Sequence, residues 1–482
     1  MQPPARATLV IRGCDVLAEP GAPIAESVDL VIAGDRVASI EPTGGADASG
    51  EAARVLDGSG LLAMPGLVNA HTHSPENPMR GMGQGLTLEP WLCLKLELGG
   101  AYGPDDFYAC ALAGAVEMIR NGVTAVVDHV VPSSVEAVDA AMRAYRDAGI
   151  RAGVAPLVTD VDVTDDFADA RGFERDGPLI PWRHDATPAE LAAQLDDAIV
   201  RWHGAEDGRL RVLAGPGGVQ WCSDELLTEL GAVAERHGTG VHVHLLETRL
   251  QAEACRLRFG HSAARGLHEL GILGLCSLPH SVWIDDGDIE LIAGSGAVIV
   301  HSPAANLRLG SGRAPIRALL DAGANVGLAS DGAASSDNQV LWDALKLAAL
   351  IHNDEGRTWV SAREALTMAT TGGAAALGLA GELGALRPGM LADVILLDRH
   401  GDGLAGAWDV EGALALSETG RGVRHAIVAG RVVLEDGRCT RVDGDAARAA
   451  LAEQARLRLR HSAAADETLK RRRRLEDLSR SL

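Results

Sequence analysis

The stretch Pro65-Gly-Leu-Val-Asn-Ala-His-Thr-His-Ser74 is an apolar run that ends abruptly in two histidines one residue apart. Along a β-strand, residues i and i+2 face the same way, so His71 and His73 project to one side and can share one metal ion. A strand pair of this kind is as often structural, so its meaning rests on its company. Three further apolar runs supply that company. VHVHLLET (241–248) repeats the spacing at His242 and His244 and carries Glu247 three residues further on; SLPHSV (277–282) brings His280; NVGLASDG (325–332) ends in Asp331. Each polar residue stands where an apolar run gives way to a loop, which is where a (β/α)8 barrel keeps its chemistry. Three histidines and an aspartate from different strand ends, with a further Glu and His nearby, form a mononuclear hydrolytic metal site.

Outward from these motifs, residues 63–386 alternate short apolar runs with Ala- and Leu-rich helical stretches, as in VTAVVDHV (123–130), VEAVDAAMRAYRDAG (135–149) and IRAGVAPLV (150–158). That alternation predicts a (β/α)8, TIM-like barrel in an α/β fold. Residues 1–62 and 387–443 read instead as short β segments punctuated by Gly and Asp, for example SVDLVIAGDRVASIEP (27–42) and VRHAIVAGRVVLEDGR (423–438). Two such ends predict one small β-sandwich assembled from both termini. Residues 444–482 form a helix-prone, charged tail whose run from Lys470 to Arg474 reads as a solvated helix face or a flexible tail.

Of 482 residues, 44 are Lys or Arg and 66 are Asp or Glu, giving a formal charge of −22. Such a surface repels phosphates at long range, so neither nucleic acid nor an anionic membrane is expected as a partner. Aromatic residues contribute 3% and hydrophobic residues 47%, so aliphatic side chains must fill the core. The seven cysteines are scattered singly with no CxxC pair, and no apolar run reaches membrane-spanning length. Reduced thiols in a soluble, cytoplasmic protein are expected.

Through PGLVNAHTH, HVHLLET, the region from Pro279 to Gly312, ASDGAASS and RPGMLADVILLD, the chain resembles the amidohydrolase superfamily. The similarity is to its cytosine-deaminase-like and triazine-hydrolase-like branch, and it runs to about residue 440. The resemblance implies one divalent metal ion, zinc with iron or manganese as alternatives, held by His71, His73, His244 and Asp331 with a position left for water. It further implies that Asp331 receives a proton from that water, that Glu247 protonates a ring nitrogen and shuttles protons to the leaving group, and that His280 orients the attacking water. Homo-oligomers, dimers or tetramers, are common among such relatives. Many amidohydrolases bridge two metals with a strand lysine. The only lysines here, Lys95, Lys346 and Lys470, lie in helix-like or tail context, which favours a single metal.

The same resemblance directs attention to HSPENPMRG (73–81), where Glu76 is expected at the substrate ring edge and Arg80 at a substrate oxyanion or beside Glu76. His129 is expected as a substrate contact or as support for the ligands, and Asn306 as a loop-shaping residue. His242 is read as a barrel-packing residue or as support behind the ligands. S-adenosylhomocysteine deaminases carry a glutamate after their Trp-Leu that grips ribose; here Trp91-Leu92 continues as CLKLELGG, and Glu97 is out of register. A free amino-substituted heterocycle (purine, pterin, pyrimidine or triazine) is therefore the leading small-molecule substrate, losing ammonia. Another leaving group (alkylamine, chloride, formimino), a nucleoside of adenosine type, and a catalytically silent scaffold are the alternatives.

Overall fold

A computed structural model describes residues 7–45, 54–99, 102–173, 177–180, 186–356, 358–461 and 473–478. Strands Leu67–Thr72, Val123–Val130 and Arg151–Val158 run parallel, followed by the short pair Leu210–Val212 and Gly215–Pro216. Val241–His242, Cys276–Pro279, Val298–His301 and Asn325–Leu328 continue in the same sense. Bridges at Ala214 with Val241 and at Gly218 with His244 join the two halves. The Asp331 amide donates to the His71 carbonyl at 3.1 Å and links the last strand end to the first. The result is the expected (β/α)8 barrel.

Its strands are covered on both faces. Every residue of Val123–Val130 and Arg151–Val158 is buried, as parallel strands between a filled interior and a helical shell must be. The helices are set by local signals. Val135–Ala148 starts where the Ser134 side chain accepts from the Ala137 amide and stops at Gly149, whose φ of 85° a side chain would strain. With so few aromatics, alanines from Pro104–Arg120 and Val135–Ala148 bring the helices close to the strands.

The chain ends build a nine-stranded sheet whose hydrogen bonding is continuous, so the expected sandwich is drawn from one sheet. Leu61–Pro65 pairs antiparallel with Val394–Asp398 and parallel with the end of Leu9–Val16, which places the two termini side by side. The sheet is tied to the barrel by a buried ion pair. Arg151 donates to both oxygens of Asp393 at 3.0 and 2.9 Å, and Asp393 also accepts from the Ala429 amide at 2.9 Å. Removing one member strands the other charge without water. Asp393→Ala is therefore expected to cost about 3 kcal/mol, read as a lowered urea midpoint at unchanged slope.

The C-terminal helix Gly444–His461 packs on Pro104–Arg120, where Arg458 lies 3.9 Å over the Tyr102 ring and 3.2 Å from Asp106. Lys470 and the two arginines after it lie outside the described residues. All seven cysteines are free. Among the described residues no helix is long and apolar enough to cross a membrane.

Candidate active site

His71 and His73 close the first barrel strand, and the other site residues arrive on the loops that follow later strands. The backbone turns sharply at three of these ends: Leu246, His280 and Asp331 have φ of 45°, 72° and 66°, a region side chains ordinarily avoid. Such strain concentrates where a fold must aim a side chain.

The histidines are oriented by their second ring nitrogens. His73 Nδ1 lies 2.7 Å from the His129 carbonyl, and His244 Nδ1 bonds the Gly217 carbonyl. A carbonyl only accepts, so each Nδ1 carries the proton and each Nε2 keeps a lone pair. Those two Nε2 atoms face one another at 3.3 Å with no proton to share. His71 Nδ1 is 2.7 Å from His242 Nε2, and His242 Nδ1 is 2.6 Å from Ser277 Oγ. His242, expected to pack or to support the ligands, fixes the tautomer of His71. The His71 Nε2 atom is buried without a partner and stands 3.4 Å from Asp331 Oδ1. Burial holds all these imidazoles well below the ordinary histidine range, hence neutral, the form a metal requires. Converging lone pairs, an orphaned nitrogen and a carboxylate fit a divalent cation held by His71, His73, His244 and Asp331.

Opposite this group lie two carboxyl systems. Glu247 is 3% exposed, and burial pushes its carboxyl up to about 7. It accepts from Ser311 Oγ at 3.0 Å and lies 3.6 Å from His280 Nε2. His280 Nδ1 is 2.8 Å from Asn306 Oδ1, so Asn306 positions the imidazole besides shaping its loop. Glu76, also buried, lies 2.6 Å from Lys95 Nζ and meets the Ala334 amide at 3.3 Å. Lys95 is the residue that sequence reasoning missed. Its signal was a lone cation inside the apolar run WLCLKLEL, carried by the helix Leu88–Gly99 rather than by a strand.

His73, His244, Glu247, His280, Asp331, Glu76 and Lys95 line one cavity, closed over by Leu88, Trp91, Trp221 and Leu309. His129 does not reach it. Its ring stacks 4.9 Å from that of His244, its Nε2 donates to the Gly215 carbonyl at 3.2 Å, and its ring nitrogens come close enough to His71 and His244 to offer another ligand. Arg80 does not join the group either. Its guanidinium pairs with Glu117 on the helix behind the loop, just past the end of the turn Ser74–Met79.

Residues 62–433 match the amidohydrolase family model. The chain belongs to the amidohydrolase family. It is a hydrolase, and its metal-ligand pattern, its barrel and the resemblance read from the motifs agree on this. It is 34% identical over 397 residues to 5'-deoxyadenosine deaminase of Methanosarcina mazei, covering 81% of this chain and 84% of that protein. It is 34% identical over 435 residues to 5-methylthioadenosine/S-adenosylhomocysteine deaminase of Pelotomaculum thermopropionicum, covering 89% and 94%. Among solved structures it superposes on atrazine chlorohydrolase of Arthrobacter aurescens TC1 complexed with zinc, with a TM-score of 0.83 and 28% identity, covering 93% of this chain and 100% of that one.

Proposed function

We propose that this amidohydrolase is a metal-dependent hydrolytic deaminase that releases ammonia from an amino-substituted ring carbon of a nitrogen heterocycle, with adenosine-type nucleosides as the first substrate class. The observation that carries the reaction is Glu247: a carboxyl that burial pushes up to about 7, facing His73, His244 and Asp331 across one cavity. The nucleoside class rests on the deaminases named above, and it displaces the free heterocycle that the sequence alone placed first.

A divalent ion, zinc by analogy with the solved relative, supplies Lewis acidity that makes water nucleophilic at neutral pH. The protein's own groups do the rest. With Nδ1–H given to Asn306, His280 keeps an Nε2 lone pair that accepts from the attacking water and aims it. Asp331 takes the proton that the water loses as its oxygen bonds to the ring carbon. Glu247 gives its proton to the adjacent ring nitrogen, then takes the proton of the new ring hydroxyl and passes it to the leaving amine as the C–N bond breaks and the carbonyl forms, and the proton held by Asp331 returns to restore Glu247. The closed aromatic and aliphatic wall excludes bulk water from these transfers.

Glu76 and Lys95 are assigned to the substrate. A buried ammonium has three donors, and Glu76 fills one of them, so two are left for an acceptor in the cavity. Lys95→Met is expected to raise KM about tenfold or more while kcat and metal content change little. A fall in kcat at constant KM would assign the pair to the chemical step instead. A free heterocycle stays as the second reading because Glu97, the nearest carboxylate to the register of the ribose-gripping glutamate, does not line the cavity.

The deciding experiment is ammonia release by metal-replete protein across adenosine, 5'-deoxyadenosine, S-adenosylhomocysteine, guanine, cytosine and melamine. Turnover confined to nucleosides supports the first reading, and turnover confined to free bases supports the second. No ammonia from any of them in protein with full metal content would reject deamination.

A further inference from the structure

A second and much larger cleft, about 730 Å³, opens between the helix Pro104–Arg120 and the C-terminal helix Gly444–His461. Its floor is apolar, built by Pro78, Val116, Val423 and Leu451, while Arg80, Arg120, Arg421 and Arg448 stand around it against a single carboxylate, Glu117. In a chain of net charge −22, four guanidinium groups facing one carboxylate are a local reversal of sign. Arg80 is engaged by Glu117, and Arg448 pairs with Asp445 on its own helix. Arg120 and Arg421 have no ion-pair partner among the described residues. Asn77, 2% exposed, lines the same cleft with its Oδ1 left without a hydrogen bond. Free cations over an apolar floor suit an organic anion: an apolar body bearing a phosphate or carboxylate group, held by the guanidinium groups and not by Asn77 Oδ1, which only accepts.

The cleft shares its wall with the catalytic centre. Asn77 and Pro78 belong to the turn Ser74–Met79, which begins directly after His73. Glu117 also accepts from the Gln339 amide at 3.3 Å, and the Gln339 side chain donates to the Asp331 carbonyl at 3.0 Å and accepts from Thr72 Oγ1 at 3.0 Å. Arg80, Glu117 and Gln339 thus form a continuous polar chain from the cleft to the Asp331 carbonyl and to the hydroxyl of Thr72, the residue between His71 and His73.

We propose that this cleft is a binding site for an organic anion that acts as an effector: the anion competes with Glu117 for Arg80, and the released Glu117 alters the hold of Gln339 on Asp331. The site is separate from the substrate cavity, so its occupancy does not depend on which heterocycle is turned over. The inference rests on the hydrolase reading only for its effect on rate, not for binding.

The test is calorimetric titration of the full-length, metal-loaded protein with phenyl phosphate, benzoate and inorganic phosphate, repeated on R120A/R421A and on Glu247→Gln. Expected is saturable binding of phenyl phosphate or benzoate, stronger than that of inorganic phosphate, retained in Glu247→Gln and weakened about tenfold or more in R120A/R421A. The double variant should keep basal turnover while losing any response of KM to the anion. Phenyl phosphate binding more tightly than benzoate points to a phosphate ester, and the reverse order to a carboxylate. Binding that survives R120A/R421A, or no binding at millimolar anion, overturns the proposal. So does a wild-type dimer that R120A/R421A converts to monomer, which would give the cleft to a second copy of the chain.

Discussion

Glu247→Gln lowers kcat by about 10²–10⁴-fold, the range that a positioned general acid–base group supplies, and leaves metal content at the wild-type level. The substitution keeps the size of the side chain, and its amide can still meet the Ser311 hydroxyl, so the cavity should persist. What it removes is the proton that the ring nitrogen needs. The burial that pushes Glu247 up to about 7 also gives the sign of the pH dependence. The protonated form is populated below that value and lost as pH rises through it, so kcat/KM of the wild-type enzyme is expected to fall on the alkaline side. The Gln variant should lack that limb. Steady-state rates from pH 5.5 to 9 with metal analysis on the same samples decide the matter. Near-normal turnover in the variant would remove Glu247 from the mechanism.

Loss of the metal is the second large effect. His73→Ala and Asp331→Ala are expected to leave protein with little bound metal and turnover reduced by about 10³-fold or more, since Lewis-acid activation is worth several kcal/mol. A readout independent of turnover is available. An ion that binds only the folded state stabilises it by about 4 kcal/mol when present at a thousand times its dissociation constant. Chelation should therefore lower the Tm of the wild-type protein, re-addition of zinc should restore it, and neither variant should respond. A variant that retained full occupancy would take its residue off the ligand list. His129→Ala sharpens the comparison, because its ring stands behind the ligands and offers a nitrogen to the same space.

The candidate metal centre was legible because strand chemistry is local. Two histidines at a spacing of two, or a single His or Asp where an apolar run stops, declare both their element and their direction from a handful of neighbours. His71, His73, His244, His280 and Asp331 could be chosen that way, and so could Glu247. Residues that arrive by helix or by tertiary pairing carry no such mark. Lys95 is a lone cation in an apolar, helix-like run, which does not say what it faces, and only packing of the helix Leu88–Gly99 across the barrel mouth buries it against Glu76. Arg80 follows the same turn as Glu76 yet leaves on the other side, where Glu117 on a helix far along the chain meets it. For His242 the sequence leaves packing and support of the ligands both open, because the tautomer of His71 depends on a partner that no spacing rule connects to it.

The pairing of Leu61–Pro65 with Val394–Asp398 has a consequence for how the polypeptide is made. Strand Leu61–Pro65 leads straight into the first barrel strand, yet its partner is synthesised only after the whole barrel has left the ribosome. Until then a nascent chain displays an open strand edge of Leu, Ala and Met, a template for pairing with other chains. Contacts this distant along the sequence also slow folding, because a long loop must close before they reward it. Yield in a cell should therefore depend on chaperones that shield that edge during translation, and truncations ending before residue 394 should accumulate as aggregate rather than as a smaller soluble enzyme.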